Sequence, residues 1–311
     1  MRYGFLLCLF LLHKLKYQIK FCIHFPNCVI IIAKMNYFER AKYFKTKKRL
    51  GQNFLIDGEV IADILSYADI SSEDTVVEIG PGVGFVTEQL IKYAKKVIAI
   101  ELDEDAIKEL EKLNAPNLEI IHKDILKTDL SQLCSGKIKI VANIPYYITS
   151  PIIAHLLGEI DDLDNKNRSK ITDIILMVQE EVAQRMAADE KSSGKQYGLL
   201  TILSQFWADV KVMRTVGRKC FYPAPRVTSA IVKLSVRERP KLDLSDYSHF
   251  RRVVKAAFAQ RRKNLKNCLL NGGFLKEKVI KSIEELGFDE NIRGEKLSIE
   301  AFGKLSELLF K

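Results

Sequence analysis

An apolar run from Ile138 to Ala142 ends in Asn143-Ile144-Pro145-Tyr146, so a carboxamide, an imino ring and a phenol stand where a buried strand would surface. These residue types suit an exocyclic amine on a purine. Such an amine is a poor nucleophile because its lone pair is delocalised into the ring. The Asn143 oxygen and a backbone carbonyl freed by Pro145 would take its two N–H groups and hold the nitrogen in line with a methyl group. The nitrogen then becomes more tetrahedral without a strong base, by positioning and electrostatics. Tyr146 would stack on the base, as a splayed or flipped nucleotide requires. The same four residues also make an ordinary Asn-x-Pro turn with a surface tyrosine.

A second group of residues could hold the donor of that methyl. "VVEIGPGVGFVTEQL" puts Gly80, Gly82 and Gly84 after one strand and before a helix. Small residues there let the backbone approach a ligand. The dinucleotide pattern G-x-G-x-x-G would need a small residue where Phe85 stands. With Glu78 two residues ahead of Gly80, the loop suits a nucleoside-sulfonium tail better than a pyrophosphate. Glu101 closes the next strand in "VIAIELD", about 20 residues on, where a carboxylate takes both hydroxyls of a ribose. A helix-capping acid is the other reading, although Asp103 fills that place. Asp124 in "HKDIL" follows the third strand and could accept from an adenine amino group, or be a plain loop aspartate.

Elements must deliver these residues to one place. "TVVEI", "KVIAIEL", "LEIIHKD" and "KIKIVAN" read as strands, with "FVTEQLIKYA" and "DEDAIKELEKL" as helices between them. That alternation means βαβ units and a parallel sheet covered on both faces. "DIILMVQ" and "VTSAIVKLSV" are later strands, with a helix from Glu180 to Ala188. The segment "RERPKLDLSDYS" reads as a linker. After it, "HFRRVVKAAFAQRRKNLKNCLL", "LKEKVIKSIEEL" and "SIEAFGKLSELLF" read as helices. The expected fold is α/β: a doubly wound domain over residues 35–236 and a small all-helical domain over 245–311.

The 311 residues carry 49 Lys+Arg against 39 Asp+Glu, a net charge of +10, which favours phosphate-rich or anionic-surface partners. Six cysteines (Cys8, Cys22, Cys28, Cys134, Cys220 and Cys268) show no metal-ligand spacing and read as reduced thiols of an intracellular protein. No metal site is expected. The apolar runs Phe5–Leu12 and Val29–Ala33 fall far short of the ~20 residues of a spanning helix, so no membrane role is expected. Met35 opens a run that reads as a natural start, and residues 1–34 are expected to be an extension outside the fold. Two basic runs stand out: Lys47, Lys48 and Arg49, then Arg261, Arg262 and Lys263 on a helix, with Arg251 and Arg252 on the same face. Charge runs are usually solvated faces; these two are expected to contact RNA phosphates and to make binding salt-dependent.

"NIPY" resembles the signature of adenine-N6 methyltransferases that use S-adenosylmethionine. With "KKRLGQNFLID", "VVEIGPGVGFVT", "VIAIELD", "FYPAPRVTSAIVKL" and "AFAQRRKNLKNCL", the chain from about Lys45 to its end resembles the small-subunit ribosomal RNA adenine dimethyltransferase family. The resemblance implies a Rossmann-like class I methyltransferase sheet, S-adenosylmethionine as methyl donor, and a cytoplasmic, monomeric protein acting on the small-subunit RNA or its precursor particle. It implies transfer of two methyls to N6 of each of two adjacent adenosines in a hairpin near the RNA 3′ end. Cofactor contacts carry over to Asn53, Leu55, Gly80, Glu101, Asp124 and Asn143. Phe221 would stack on the base face opposite Tyr146, or be a core aromatic beside a Pro-rich turn. Three rivals remain: a large-subunit methylase of the macrolide-resistance type, a DNA adenine methyltransferase, and a silent RNA-binding relative of the same fold. "FYPAPRVTSAIVKL" and "FAQRRKNLKN" stand against the first, the lack of a target-recognition insert against the second, and Glu101, Asp124 and Asn143 against the third.

Overall fold

A computed structural model describes residues 37–47, 50–192 and 196–310. The proposed extension, 1–34, lies outside the described residues, as do Lys48 and Arg49. The strands are β1 (Phe54–Leu55), β2 (Thr75–Ile79), β3 (Lys96–Glu101), β4 (Leu118–His122), β5 (Ile138–Asn143), β6 (Ile171–Gln179), β7 (Ala208–Val216), β8 (Phe221–Tyr222) and β9 (Ser229–Val236). Seven of them form one sheet in the order β4-β3-β2-β5-β6-β9-β7, and β1 pairs with β8 apart from it. β4, β3, β2, β5 and β6 run parallel, and β9 is antiparallel to both β6 and β7. Val76, Val77, Ile98, Ala99 and Ile140 are fully buried, because helices cover both sheet faces.

The chain leaves β2 for β3 on one side and returns for β5 on the other. The ends of β2 and β5 therefore part at a switch point, where open α/β sheets bind ligands. The expected strands are all present. Strand β7 is an addition: Asp209, Lys211 and Arg214 break its apolar pattern, and only its partner β9 makes it a sheet edge.

The expected single helix over 249–270 is two helices, Tyr247–Ala259 and Leu265–Asn271. Gln260 leaves the helical region at φ −134°, and Asn264 caps the second helix by accepting from Asn267 N–H at 3.0 Å. The basic run 261–263 thus sits on the link and not on a helix. One buried cluster runs from the sheet through Phe206 and Trp207 into Phe250, Val253 and Phe302. Phe206 and Phe250 stack at 5.5 Å between centroids. Arg168 lies over the Trp207 ring and donates to the Asp162 and Leu163 carbonyls at 2.7 and 2.6 Å, so its charge is satisfied where it is buried. Among the described residues no helix is long and apolar enough to cross a membrane.

Candidate active site

A cleft partly open to solvent lies at the switch point. Its walls bring together Asn53, Leu55, Glu78, Gly80, Gly82, Glu101, Asp124, Asn143, Pro145 and Tyr146. Residues spread over nearly a hundred positions meet there because the ends of the neighbouring strands β4, β3, β2 and β5 carry most of them, while Asn53 and Leu55 come from the segment at β1.

The glycine loop turns directly after β2. Gly80 has φ +66° and Gly82 φ +57°, a region that L side chains rarely adopt. Gly80 N–H bonds Ile100 C=O at 3.0 Å, tying the loop to β3. A Cβ on Gly82 would come 2.7 Å from a ring carbon of Phe54, which itself lines the cleft. Gly82→Ala is therefore expected to lose about 1–2 kcal/mol from the left-handed backbone alone. Phe54 must also move, so affinity for S-adenosylhomocysteine should fall with stability; denaturant titration and calorimetry measure the two.

Glu101 ends β3 and is 7 % exposed. Its Oε1 accepts from Leu102 and Asp103 N–H at 2.8 and 2.9 Å, and its Oε2 from Gly82 N–H at 2.9 Å. Burial raises its pKa, and these three N–H groups pull against the rise. Its neighbour Glu78 is buried more deeply and accepts from Thr87 Oγ at 2.6 Å. Burial, then the Glu101 charge, push Glu78 up to about 8 against the Thr87 bond, so near neutral pH it is largely protonated. Asp124 caps a short 3₁₀ turn through Leu126 N–H at 3.0 Å, as its plain loop reading had it, while still lining the cleft.

Asn143 is the last residue of β5. Its Nδ2 donates to Asn53 C=O at 3.1 Å, which orients the amide and leaves Oδ1 as an acceptor in the cleft that it lines. The Tyr146 hydroxyl hydrogen-bonds Ser229 Oγ at the start of β9, which fixes the ring. Burial raises the Tyr146 pKa, so the phenol stays neutral.

Three of the singled-out residues lie outside the lining of the cleft. Phe221 does not line the cleft; it pairs with Leu55 across β8 and β1 and is buried with Val216, Met177 and Ile231. That ladder turns the ring inward. Lys47 pairs with Asp103 and Asp105. Arg251 likewise joins Glu159 and Asp161, at 2.8 and 3.3 Å, across the junction to the helical segment. Arg261 donates to Tyr197 C=O at 3.2 Å, whereas Arg262 and Lys263 are exposed.

Gln52, Phe54, Thr87, Tyr147 and Ser229 belong to the site without having been expected there. Gln52 and Phe54 sit inside the "GQNFL" run, so their neighbours were a signal. Thr87 sits inside the quoted glycine-loop run, nine residues from Glu78, whereas Ser229 gave no signal because its partner Tyr146 is 83 positions away.

The residues fit S-adenosylmethionine: a backbone cradle that a Cβ would fill, a carboxylate at the second strand end, an acid at the third and apolar walls from Ile79, Ile100 and Ile125. Fold and cleft together define a class I methyltransferase that uses this donor. The chain belongs to the ribosomal RNA adenine dimethylase family, whose model matches residues 43–311. It is 44% identical over 273 residues to the ribosomal RNA small subunit methyltransferase A of Clostridium botulinum (strain Loch Maree / Type A3), covering 86% of this chain and 95% of that one. With the enzyme of the same name from Bacillus mycoides it shares 43% over 278 residues, covering 86% and 92%. Among solved structures, a dimethyladenosine transferase from Plasmodium falciparum has 30% identity and a TM-score of 0.65 over 80% of this chain and 94% of that one. The 23S rRNA methyltransferase ErmE has 26% identity and a TM-score of 0.64 over 83% and 100%.

Proposed function

We propose that this protein dimethylates N6 of two adjacent adenosines in a hairpin near the 3′ end of the small-subunit ribosomal RNA, as part of subunit maturation. The observation that carries the reading is Asn143: its amide nitrogen is committed to Asn53 C=O, and its oxygen is left to a cleft that ends on the glycine loop. The stronger identity to small-subunit enzymes than to the 23S enzyme, 44% against 26%, favours the small-subunit substrate. The protein acts as a cytoplasmic monomer on free or partly assembled RNA.

The donor supplies an electrophilic methyl on a sulfonium. The chain does the rest. Glu101 takes the ribose hydroxyls, Asp124 the adenine edge of the cofactor, and Asn53, Leu55 and Gly80 line its path. Asn143 Oδ1 and the Ile144 carbonyl accept the two N–H bonds of the target amine and steer its nitrogen, while Tyr146 covers one face of the base. The amine proton leaves after transfer to solvent or phosphate, so no buried base is needed.

The exposed Arg262 and Lys263 bind RNA phosphates. Replacing Arg262 and Lys263 together by alanine is expected to flatten the slope of log K on log salt by about 1 per charge removed, with cofactor affinity unchanged. Tritium transfer from labelled donor to undermethylated small subunits, against large-subunit RNA and duplex DNA, tests the whole reading. Label entering large-subunit RNA alone would overturn it.

A further inference from the structure

Lys47 and the run Leu50–Leu55, which lines the cleft, are fastened at two points. At one end Lys47 Nζ pairs with Asp103 Oδ1 and lies 2.7 Å from Asp105 Oδ2. Gln52 doubles the fastening: Nε2 donates to Asp103 Oδ2 at 2.6 Å, and Oε1 accepts from Lys47 N–H at 2.7 Å. At the other end Asn53 C=O receives the Asn143 amide at 3.1 Å. Gly51 lies against Pro145 and Tyr147 so closely that a Cβ would stand 3.3 Å from each. Between these ends Leu50, Gly51, Gln52 and Asn53 form one wall of the cleft.

Asp103 is the hinge of this arrangement. Its side chain has no exposure, it caps the helix Glu104–Glu111, and its own N–H donates to Glu101 Oε1. A buried carboxylate is stable as an ion only with a charge partner and full hydrogen bonding. Lys47 is its cation among the described residues. Burial opposes the charge on Asp103, but Lys47, Gln52 and Asp105 N–H together hold its carboxyl below the usual range.

We infer that Lys47 is a positioning residue for the methyl donor, not an RNA contact: its ammonium clamps the amino-terminal strap to Asp103. The clamp thereby sets both the Glu101 turn on the ribose side and the Asn143 amide on the target side. A single cation outside the cleft orders the two halves of the reaction site through one run of backbone. The inference rests on the methyl-donor reading of the cleft.

Lys47→Met keeps the aliphatic stem and removes the charge; Lys47→Arg restores a charge; Lys281→Met, on the exposed face of the helix Lys276–Glu285, is the control for losing one cation. The first readout is hydrogen exchange of residues 50–55 in the ligand-free protein, and the second is calorimetric binding of S-adenosylhomocysteine without RNA. Lys47→Met is expected to speed exchange in the strap and to weaken binding about tenfold, as a closed fraction near one tenth would. Lys47→Arg should return both toward wild type, and the salt slope of RNA binding should match that of Lys281→Met. Unchanged strap exchange in Lys47→Met overturns the clamp. So does unchanged ligand affinity combined with an RNA slope lowered by about 1, which would return Lys47 to phosphate binding. Failure of the wild type to bind the ligand would count against the donor reading, while strap exchange still decides the clamp.

Discussion

Asn143→Ala is expected to lower methyl transfer about 10²–10³-fold, the range for removing one preorganised polar group from a transition state. The loss should fall on kcat. The target amine has no local acceptor to replace Oδ1, so its nitrogen is neither aligned with the methyl nor helped toward a tetrahedral shape. Cofactor affinity should drop only a few-fold, because Glu101, Asp124 and the glycine loop remain. Some drop is expected, since Asn53 C=O loses the Nδ2 donor that tethers the strap. Single-turnover tritium transfer, with calorimetry of S-adenosylhomocysteine, separates the two effects. Equal single-turnover rates in variant and wild type would remove the amide from the mechanism.

Glu78→Gln is expected to make the protein more resistant to alkaline pH and poorer at holding its cofactor. The unfolded carboxyl titrates near 4.5, and burial, followed by the Glu101 charge, lifts it to about 8 in the fold. Between those values the folded chain holds a proton that the unfolded chain has released. Stability is therefore full below about pH 4.5, falls as pH rises, and has lost its whole contribution above about pH 8. The span corresponds to on the order of 5 kcal/mol. Glutamine cannot ionise and keeps an acceptor for the Thr87 hydroxyl, so the stability gap between variant and wild type should widen from pH 5 to 8. A cationic donor beside Glu78 favours its ionised form. Binding near pH 7 should then release a proton in the wild type and none in the variant, read from binding heats in two buffers of different ionisation enthalpy. Parallel stability profiles for the two proteins would show that Glu78 is already ionised in the fold.

The amino-acid sequence by itself determined the parallel sheet, the glycine loop, and the acids and amide at four strand ends. Those signals are local: β-branched runs such as Thr75–Ile79, glycines at positions that need positive φ, and a polar residue at or near the point where each strand stops. A residue at the end of a parallel strand is delivered to the same edge of the sheet as its neighbours, so spacing groups Glu78, Glu101, Asp124 and Asn143, while Asn53 and Leu55 were legible only through the family resemblance. Only the tertiary structure decided what depends on a partner far along the chain. Strand β7 exists because β9 pairs with it. Arg251 is taken by Glu159, Phe221 turns into the core because Leu55 faces it, and Lys47 is held by a buried Asp103. A basic run reads the same whether its charges meet water, phosphate or a carboxylate. The physical reason is that a side chain's type sets what it can bond, while packing sets which partner arrives within bonding distance.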